Sequence, residues 1–240
     1  MAKVVYYGPS RGGKTTSLRW LHQNFGSHCT GQLFALDTHA DQTLFFDLMP
    51  MRLGTIGGFQ LRLKLYTVPG QIHYNITRKM VLTGTDAIVF VADSTLTRHE
   101  DNLESLRNLE MNLNVKGLDI RTIPMVFQYN KRDLSETLPL DVMDRKLNFR
   151  HLPSFGSIAI HPQHDGVLRS FIAVIDAMLK SFERTYGVWK SSSKLYSPTR
   201  HLTTIIRGNL AHNSAVGSEG LSADSPASRF RIHDPEKPSG

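Results

Sequence analysis

The stretch Gly8-Pro9-Ser10-Arg11-Gly12-Gly13-Lys14-Thr15 decides the fold, because it fits the phosphate-binding pattern GxxxxGK[ST]. The apolar run 4–7 stands directly before it, and a helical spacing of apolar residues follows over 18–25. A strand, a glycine-rich loop and a helix in this order are the context that the pattern requires. Backbone N–H groups of such a loop and the positive end of the helix bind phosphate oxygens. The sequence therefore predicts a nucleotide-phosphate site here.

Two side chains of this loop have predicted roles. We expect Lys14 to neutralise charge on the terminal phosphates and the Thr15 hydroxyl to be a ligand of Mg²⁺. Further nucleotide contacts are expected from the rest of the loop and the first helical turn: Gly8, Arg11, Gly12, Gly13 and Thr16.

Composition restricts the class of protein. The 240 residues can bury one large core, and no apolar run approaches the roughly 20 residues that span a bilayer, so we expect no transmembrane segment. A single cysteine suits a reducing compartment, which predicts a cytoplasmic protein. The formal net charge of +7 is not gathered into a dense basic block, so nucleic acid is not an expected partner.

Downstream, apolar spacing predicts strands and helices in alternation. The predicted strands are 3–7, 44–50, 59–66, 87–92, 123–129 and 155–160, and the predicted helices are 13–25, 75–83, 98–115, 140–148 and 164–186. We expect an α/β fold with a mostly parallel six-stranded sheet, one antiparallel edge strand from an early hairpin, and helices on both faces. The polar segment 26–43 is predicted to be a mobile loop with room for one short strand.

The chain divides into two parts by composition. Residues 1–188 are predicted to form a single domain. Residues 189–240 lack sustained periodicity and are rich in Ser, Gly and Pro, so we expect a basic, mostly disordered tail. Within it, 202–206 is the one segment with the apolar character to dock on a partner, and a tail without function is an equal alternative.

The tetrapeptide Asn130-Lys131-Arg132-Asp133 fits NKxD and follows the predicted strand 123–129. The Asp133 carboxylate can accept two hydrogen bonds from guanine, one from N1–H and one from the exocyclic amine. Adenine offers neither donor, and the mismatch would cost roughly 1–3 kcal/mol per lost bond. We expect Lys131 to lie along the base and Asn130 to tie this loop to the phosphate loop. The motif predicts guanine, whereas the phosphate loop alone also suits ATPases and small-molecule kinases.

A third motif, Thr67-Val68-Pro69-Gly70-Gln71, ends the predicted strand 59–66. GTPases usually have DxxG here with glutamine next. We expect the Gly70 N–H to contact the γ-phosphate and Gln71 to orient the attacking water. Thr67 stands where the usual aspartate supports Mg²⁺, which by itself predicts a weaker magnesium site.

Six segments together resemble the bacterial MglA-like small Ras-like GTPases, which have a P-loop NTPase fold of the small G-protein type: YYGPxxxGKTT, TLFFDLMP, LYTVPGQ, VFVADS, ESLRNLEMNL and QYNKRDL. The resemblance covers about residues 3–185 and leaves the tail outside it. TVPGQ belongs to the family pattern. The resemblance implies GTP and GDP binding with Mg²⁺, slow hydrolysis, and a nucleotide switch for cell polarity or gliding motility. It also implies polarity effectors, a Roadblock-fold (MglB-like) activating dimer, and peripheral placement at the inner membrane or cell pole.

The resemblance also assigns three residues. Thr43 matches the switch threonine that senses Mg²⁺ and the γ-phosphate, and Ala159 matches the residue whose backbone N–H meets guanine O6. Gln42 occupies the catalytic position at which the family carries an in-chain arginine finger. Such an arginine contributes about 10³–10⁵ in rate, and a neutral glutamine should not replace it.

Two further departures lie in the phosphate loop. Ser10 replaces the family's glycine and could crowd the γ-phosphate or the incoming glutamine, and Arg11 could add a phosphate contact. These residues leave two hypotheses besides the less favoured ATPase or kinase: a slowly hydrolysing GTPase switch, or a GTP-locked binding module.

Overall fold

A computed structural model describes residues 1–30, 34–36, 46–56, 59–71 and 74–187. Its seven strands are β1 (Ala2–Tyr7), β2 (Phe34–Leu36), β3 (Phe46–Ile56), β4 (Phe59–Thr67), β5 (Ala87–Asp93), β6 (Met125–Asn130) and β7 (Ser154–Gly156). The α-helices in the described part are α1 (Lys14–Asn24), α2 (Asn75–Leu82), α3 (His99–Val115), α4 (Leu140–Leu147) and α5 (Gly166–Tyr186).

All strands form one sheet in the order β2-β3-β4-β1-β5-β6-β7. β1 lies at the centre, parallel to both β4 and β5, and β6 and β7 continue the parallel pairing. Every residue of β5 is buried, as expected for a parallel strand covered by helices on both faces. The predicted α/β fold class is confirmed.

Three details of the predicted sheet need correction. The sheet has seven strands rather than six, because the short apolar segment in the loop after α1 pairs as β2. The antiparallel strand β3 pairs with both β2 and β4, so it lies one place inside the edge rather than at it. β7 is also shorter than predicted, three residues instead of 155–160.

The alternation of side chains along β1 divides the core into two layers. Val4 and Tyr6 face the layer that α1 and α5 cover, and Val5 and Tyr7 face the layer beneath α2, α3 and α4. In the first layer Phe171 of α5 lies against Phe25, with ring centroids 6.0 Å apart. The helices therefore enclose the sheet and leave the carboxyl ends of its parallel strands for the loops that form the site.

The predicted tail, 189–240, lies outside the described residues, as does most of the predicted loop 26–43 beyond residue 30. None of the helices in the described part is long and apolar enough to cross a membrane.

Replacing Phe171 by alanine tests the first core layer. Phe171 is fully buried, so we expect Phe171→Ala to lower the free energy of unfolding by about 3–5 kcal/mol. Phe149→Ala is the matched control, because that ring is 55% exposed and its loss should cost less than about 1 kcal/mol. Urea denaturation followed by tryptophan fluorescence gives both values, and equal losses would contradict this assignment of the core.

Candidate functional site

The carboxyl ends of five parallel strands bring the predicted motifs to one edge of the sheet. β1 leads into the phosphate loop, β4 into Pro69–Gly70, and β6 ends at Asn130. β5 ends at Asp93, between β1 and β6 in the sheet. Motifs that are more than one hundred residues apart in sequence therefore form one site.

Lys14 begins helix α1 and is buried, with 6% of its surface exposed. Its ammonium donates to the carbonyls of Gly8 and Pro9 at 3.0 and 2.6 Å. Burial and, to a lesser extent, the nearby Arg78 guanidinium lower the pKa of Lys14 to about 7, while Asp47 opposes the change. The two carbonyl bonds hold the ammonium against the loop that is expected to receive the phosphates.

Asn130 joins three loops through one side chain. Its amide nitrogen donates to the Gly12 carbonyl at 3.0 Å, and its amide oxygen accepts from the Ser157 hydroxyl and the Ala159 N–H, each at 3.0 Å. Gly13 has a φ of 102°, and a Cβ there would lie 2.0 Å from the Asn130 amide nitrogen. Only glycine fits this position.

A cleft of about 300 Å³ opens beside this joint. The predicted base-reading residues line it together with part of the phosphate loop: Arg11, Gly13, Thr16, Asn130, Lys131, Asp133, Leu134, Ala159 and Ile160. Asp133 is exposed, and no donor in the described part of the chain bonds to its carboxylate. A planar base can therefore enter the cleft with that carboxylate available to its edge.

Lys131 is held by a carboxylate that the sequence motif does not include. Its ammonium lies 2.6 Å from the fully buried Asp93, whose other oxygen accepts from the Thr95 N–H and hydroxyl. Lys131 also has a φ of 66°. The signal that could have identified Asp93 is a carboxylate at the end of an otherwise apolar strand.

Ala159 lines the cleft, and its N–H has a partner within the protein. The N–H expected to meet guanine O6 donates to Asn130 in this structure. Contact with a base would require that hydrogen bond to be shared or exchanged.

The predicted magnesium ligand Thr15 lies against a carboxylate from strand β3. The Thr15 hydroxyl donates to Asp47 at 2.6 Å, and the Thr67 hydroxyl donates to the same oxygen at 2.7 Å. The backbone N–H of Asp47 in turn donates a hydrogen bond to the Thr67 hydroxyl at 2.9 Å. Asp47 was missed from the sequence, although a lone acid between the apolar residues of a predicted strand was a usable signal.

This arrangement bears on the prediction that Thr67 weakens the magnesium site, which stays a prediction. The loop lacks a carboxylate at this position, and Thr67 bonds instead to the carboxylate of Asp47 on the neighbouring strand. Oxygen donors suit Mg²⁺, which usually takes one or two carboxylates and completes its shell with water and phosphate oxygens. No cluster of three acidic, histidine or cysteine residues able to hold a metal occurs in the described ranges.

The motif TVPGQ approaches the phosphate loop closely. A Cβ on Gly70 would lie 2.2 Å from Ser10 Cα, so only glycine allows this contact. Gln71 and Ser10 line a second cleft, of about 420 Å³, with Arg98, which donates to the Ser10 carbonyl at 2.9 Å. The water-orienting residue predicted from the sequence therefore lies next to the residue that departs from the family pattern.

Two predicted residues, Gln42 and Thr43, lie outside the described residues. Their assigned roles, and those of the other site residues, stay predictions.

Comparison with known proteins identifies a close relative. The chain is 44% identical over 182 residues to the "Mutual gliding-motility protein MglA" of Myxococcus xanthus (strain DK1622). The matched region covers 76% of this chain and 92% of that protein. The chain belongs to the MglA-like small GTPases. No family model matches it. The family resemblance predicted from the sequence is confirmed, and guanine nucleotide with Mg²⁺ is the class of ligand that such a GTPase takes.

The pKa of Lys14 predicts a pH dependence of stability without nucleotide. Since the folded pKa, about 7, lies below that of the unfolded chain, near 10.5, the unfolded state binds more protons between these values and stability rises with pH. From pH 7 to 9 we expect the unfolding free energy to increase by about 2 kcal/mol more in the wild type than in Lys14→Met. Parallel urea titrations at the two pH values measure this, and equal increases would contradict it.

Proposed function

We propose that this MglA-like GTPase is a molecular switch that binds GTP and GDP with Mg²⁺ and hydrolyses GTP slowly. The observation that carries the proposal is the available Asp133 carboxylate in a cleft shared with the phosphate loop and Asn130. A carboxylate at that position matches the two donors on one edge of guanine, and the loop beside it suits a chain of phosphates.

Mg²⁺ would be held by Thr15, with Asp47 replacing the aspartate that most GTPases carry in DxxG. When bound, the ion would neutralise charge that develops on the β- and γ-phosphate oxygens. Thr67 orients the carboxylate through two hydrogen bonds, one donated and one accepted. Thr43 is the residue proposed to complete the magnesium shell in the GTP state.

For hydrolysis, we assign Gln71 to the orientation of water and the Gly70 N–H to the γ-phosphate. Lys14 keeps one ammonium proton for the phosphates beyond the two bonded to loop carbonyls. No arginine stands at position 42, so the intrinsic rate should be lower than in relatives that carry one.

The biological role follows from the relative, whose name assigns it to gliding motility. We propose that this chain regulates cell polarity or motility in the cytoplasm, with a peripheral location at the inner membrane or a pole. A Roadblock-fold, MglB-like dimer would accelerate hydrolysis, and polarity effectors would bind the GTP form. The contribution of the tail would be tested by partner capture with GTP-loaded protein, with and without residues 189–240.

A second candidate, a GTP-locked binding module, is favoured by the contact of Ser10 with Gly70. A side chain at that point of the loop restricts the space in which Gln71 and a water molecule must meet. Nucleotide extracted from the purified protein separates the two: retained GTP supports the locked module, and GDP supports a cycling enzyme. Competition of labelled GTP by unlabelled ATP tests the less favoured ATPase or kinase.

Asp133→Asn tests base recognition. An asparagine side chain can still accept from N1–H but meets the guanine amine with its own amide, whereas xanthine presents a carbonyl there. We expect GDP affinity to fall at least about a hundredfold and xanthosine diphosphate to become the better ligand. Glu136→Gln, on the same loop, is the control, and calorimetry with both nucleotides gives the result. A variant that retains its preference for GDP would contradict the proposed role.

Asp47→Asn tests the magnesium assignment. The substitution keeps the size of the side chain but removes its charge, so we expect the Mg²⁺ concentration that half-maximally retains a GTP analogue to rise about tenfold or more. Asp141→Asn, an exposed acid on α4, is the matched control. Nucleotide release at graded Mg²⁺ concentrations measures the effect, and coincident curves for the three proteins would refute it.

A further inference from the structure

Arg78 of helix α2 is a fully buried arginine. Its Nε donates to the Pro69 carbonyl at 2.9 Å, and one terminal nitrogen donates to the Gly70 carbonyl. The guanidinium lies 5.0 Å from the centre of the Tyr7 ring. Within the described ranges, no Asp or Glu forms an ion pair with it. A buried charge with only neutral partners is unusual, because removing it from water is costly.

The neutral partners connect α2 to α3. The other terminal nitrogen of Arg78 donates to the Asn108 side-chain oxygen at 2.7 Å. That same oxygen accepts from the Tyr7 hydroxyl at 2.6 Å and from Asn112 at 3.0 Å. Asn75 of α2 accepts from Asn108 and Asn112 at 3.2 and 2.7 Å. We call these five residues, Tyr7, Asn75, Arg78, Asn108 and Asn112, the arginine–asparagine network.

The two carbonyls that Arg78 holds belong to the peptide units on either side of Gly70. The Pro69 carbonyl and the Gly70 N–H share one planar trans peptide, in which they point in opposite directions. Fixing that carbonyl toward Arg78 therefore directs the Gly70 N–H away from the helix. The Gly70 carbonyl fixes the next unit, which carries the N–H of Gln71.

Charge balance adds a second reason to connect Arg78 with phosphate. The Arg78 guanidinium is close enough to Lys14 to lower the pKa of that amine, and Asp47 is the acid that opposes this effect. Lys14 and Arg78 are thus two buried cations close to each other, and Asp47 is the acid among the described residues that acts on Lys14. A bound nucleotide would supply the missing negative charge.

We propose that Arg78 is the positioning residue that transmits the presence of the γ-phosphate from the Gly70 peptide to the contact between α2 and α3. This rests on the proposed function, because the phosphate itself is inferred. With GTP bound, the Gly70 N–H is engaged and the peptide is held on both sides. With GDP bound, Arg78 is the only group that holds the Gly70 peptide. The peptide is then free to rotate, and the arginine–asparagine network loosens.

Arg78→Lys tests the proposal, because lysine keeps the positive charge but cannot hold two carbonyls and Asn108 in one plane. We expect affinity for a nonhydrolysable GTP analogue to fall about tenfold or more, with GDP affinity changed by less than about threefold. Lys79→Met, the neighbouring residue on α2, should change neither. A merely structural role would weaken both nucleotides equally, and an unchanged ratio of the two affinities would overturn the proposal.

A measurement on the wild type covers the case in which Arg78→Lys does not fold. Amide hydrogen exchange with GDP and with the GTP analogue should show added protection in 75–82 and 108–113 only for the analogue. Asn108→Ala should remove that difference in α3 while leaving GDP binding intact. Equal exchange in the two nucleotide states would overturn the proposal. A wild type that binds no guanine nucleotide would instead contradict the proposed function.

Discussion

The hydrogen bond from Asn130 to the Gly12 carbonyl is the joint on which the site depends. It connects a loop after β6 to a loop after β1, across the intervening strand β5. The same side chain accepts from Ser157 and Ala159, so the loop after β7 is held by it as well. Without this joint the two loops proposed to bind the phosphates and the base would be separate surfaces. Because of this joint, position 13 requires glycine for two reasons: its backbone conformation, and the Asn130 side chain that a Cβ would strike.

The second constraint is charge. Lys14 and Arg78 are both buried beside the phosphate loop, while Asp47 is the carboxylate that stands near Lys14. Burying cations in this way costs free energy that a polyanionic ligand can offset. A site of this kind is less stable without ligand and regains stability on binding, which suits the proposed nucleotide switch.

The contact between Asp47 and Thr67 places a carboxylate beside a motif that lacks its usual aspartate. In DxxG the loop itself carries the carboxylate, whereas here the carboxylate comes from β3 and the loop carries a hydroxyl that orients it. Because Thr67 belongs to the family pattern, its meaning depends on a residue twenty positions earlier in the chain. Ser10 and Gln42, the departures from the family pattern, remain the reason to expect slow hydrolysis.

The sequence by itself determined the α/β class, the order of strands and helices, and the residues of the three motifs. These follow from short-range patterns: apolar periodicity, the glycines of a phosphate loop, and NKxD after a strand. Even the family and the guanine base could be inferred from them. What only the tertiary structure decided is partnership across strands. Five features depend on how distant segments lie against one another: the seventh strand, the placement of β3 inside the edge, the pairing of Asp93 with Lys131, the position of the Asp47 carboxylate beside Thr67, and the burial of Arg78. The physical reason is that a side chain's partner is set by which strands and helices lie side by side. Local sequence patterns do not specify which elements become neighbours.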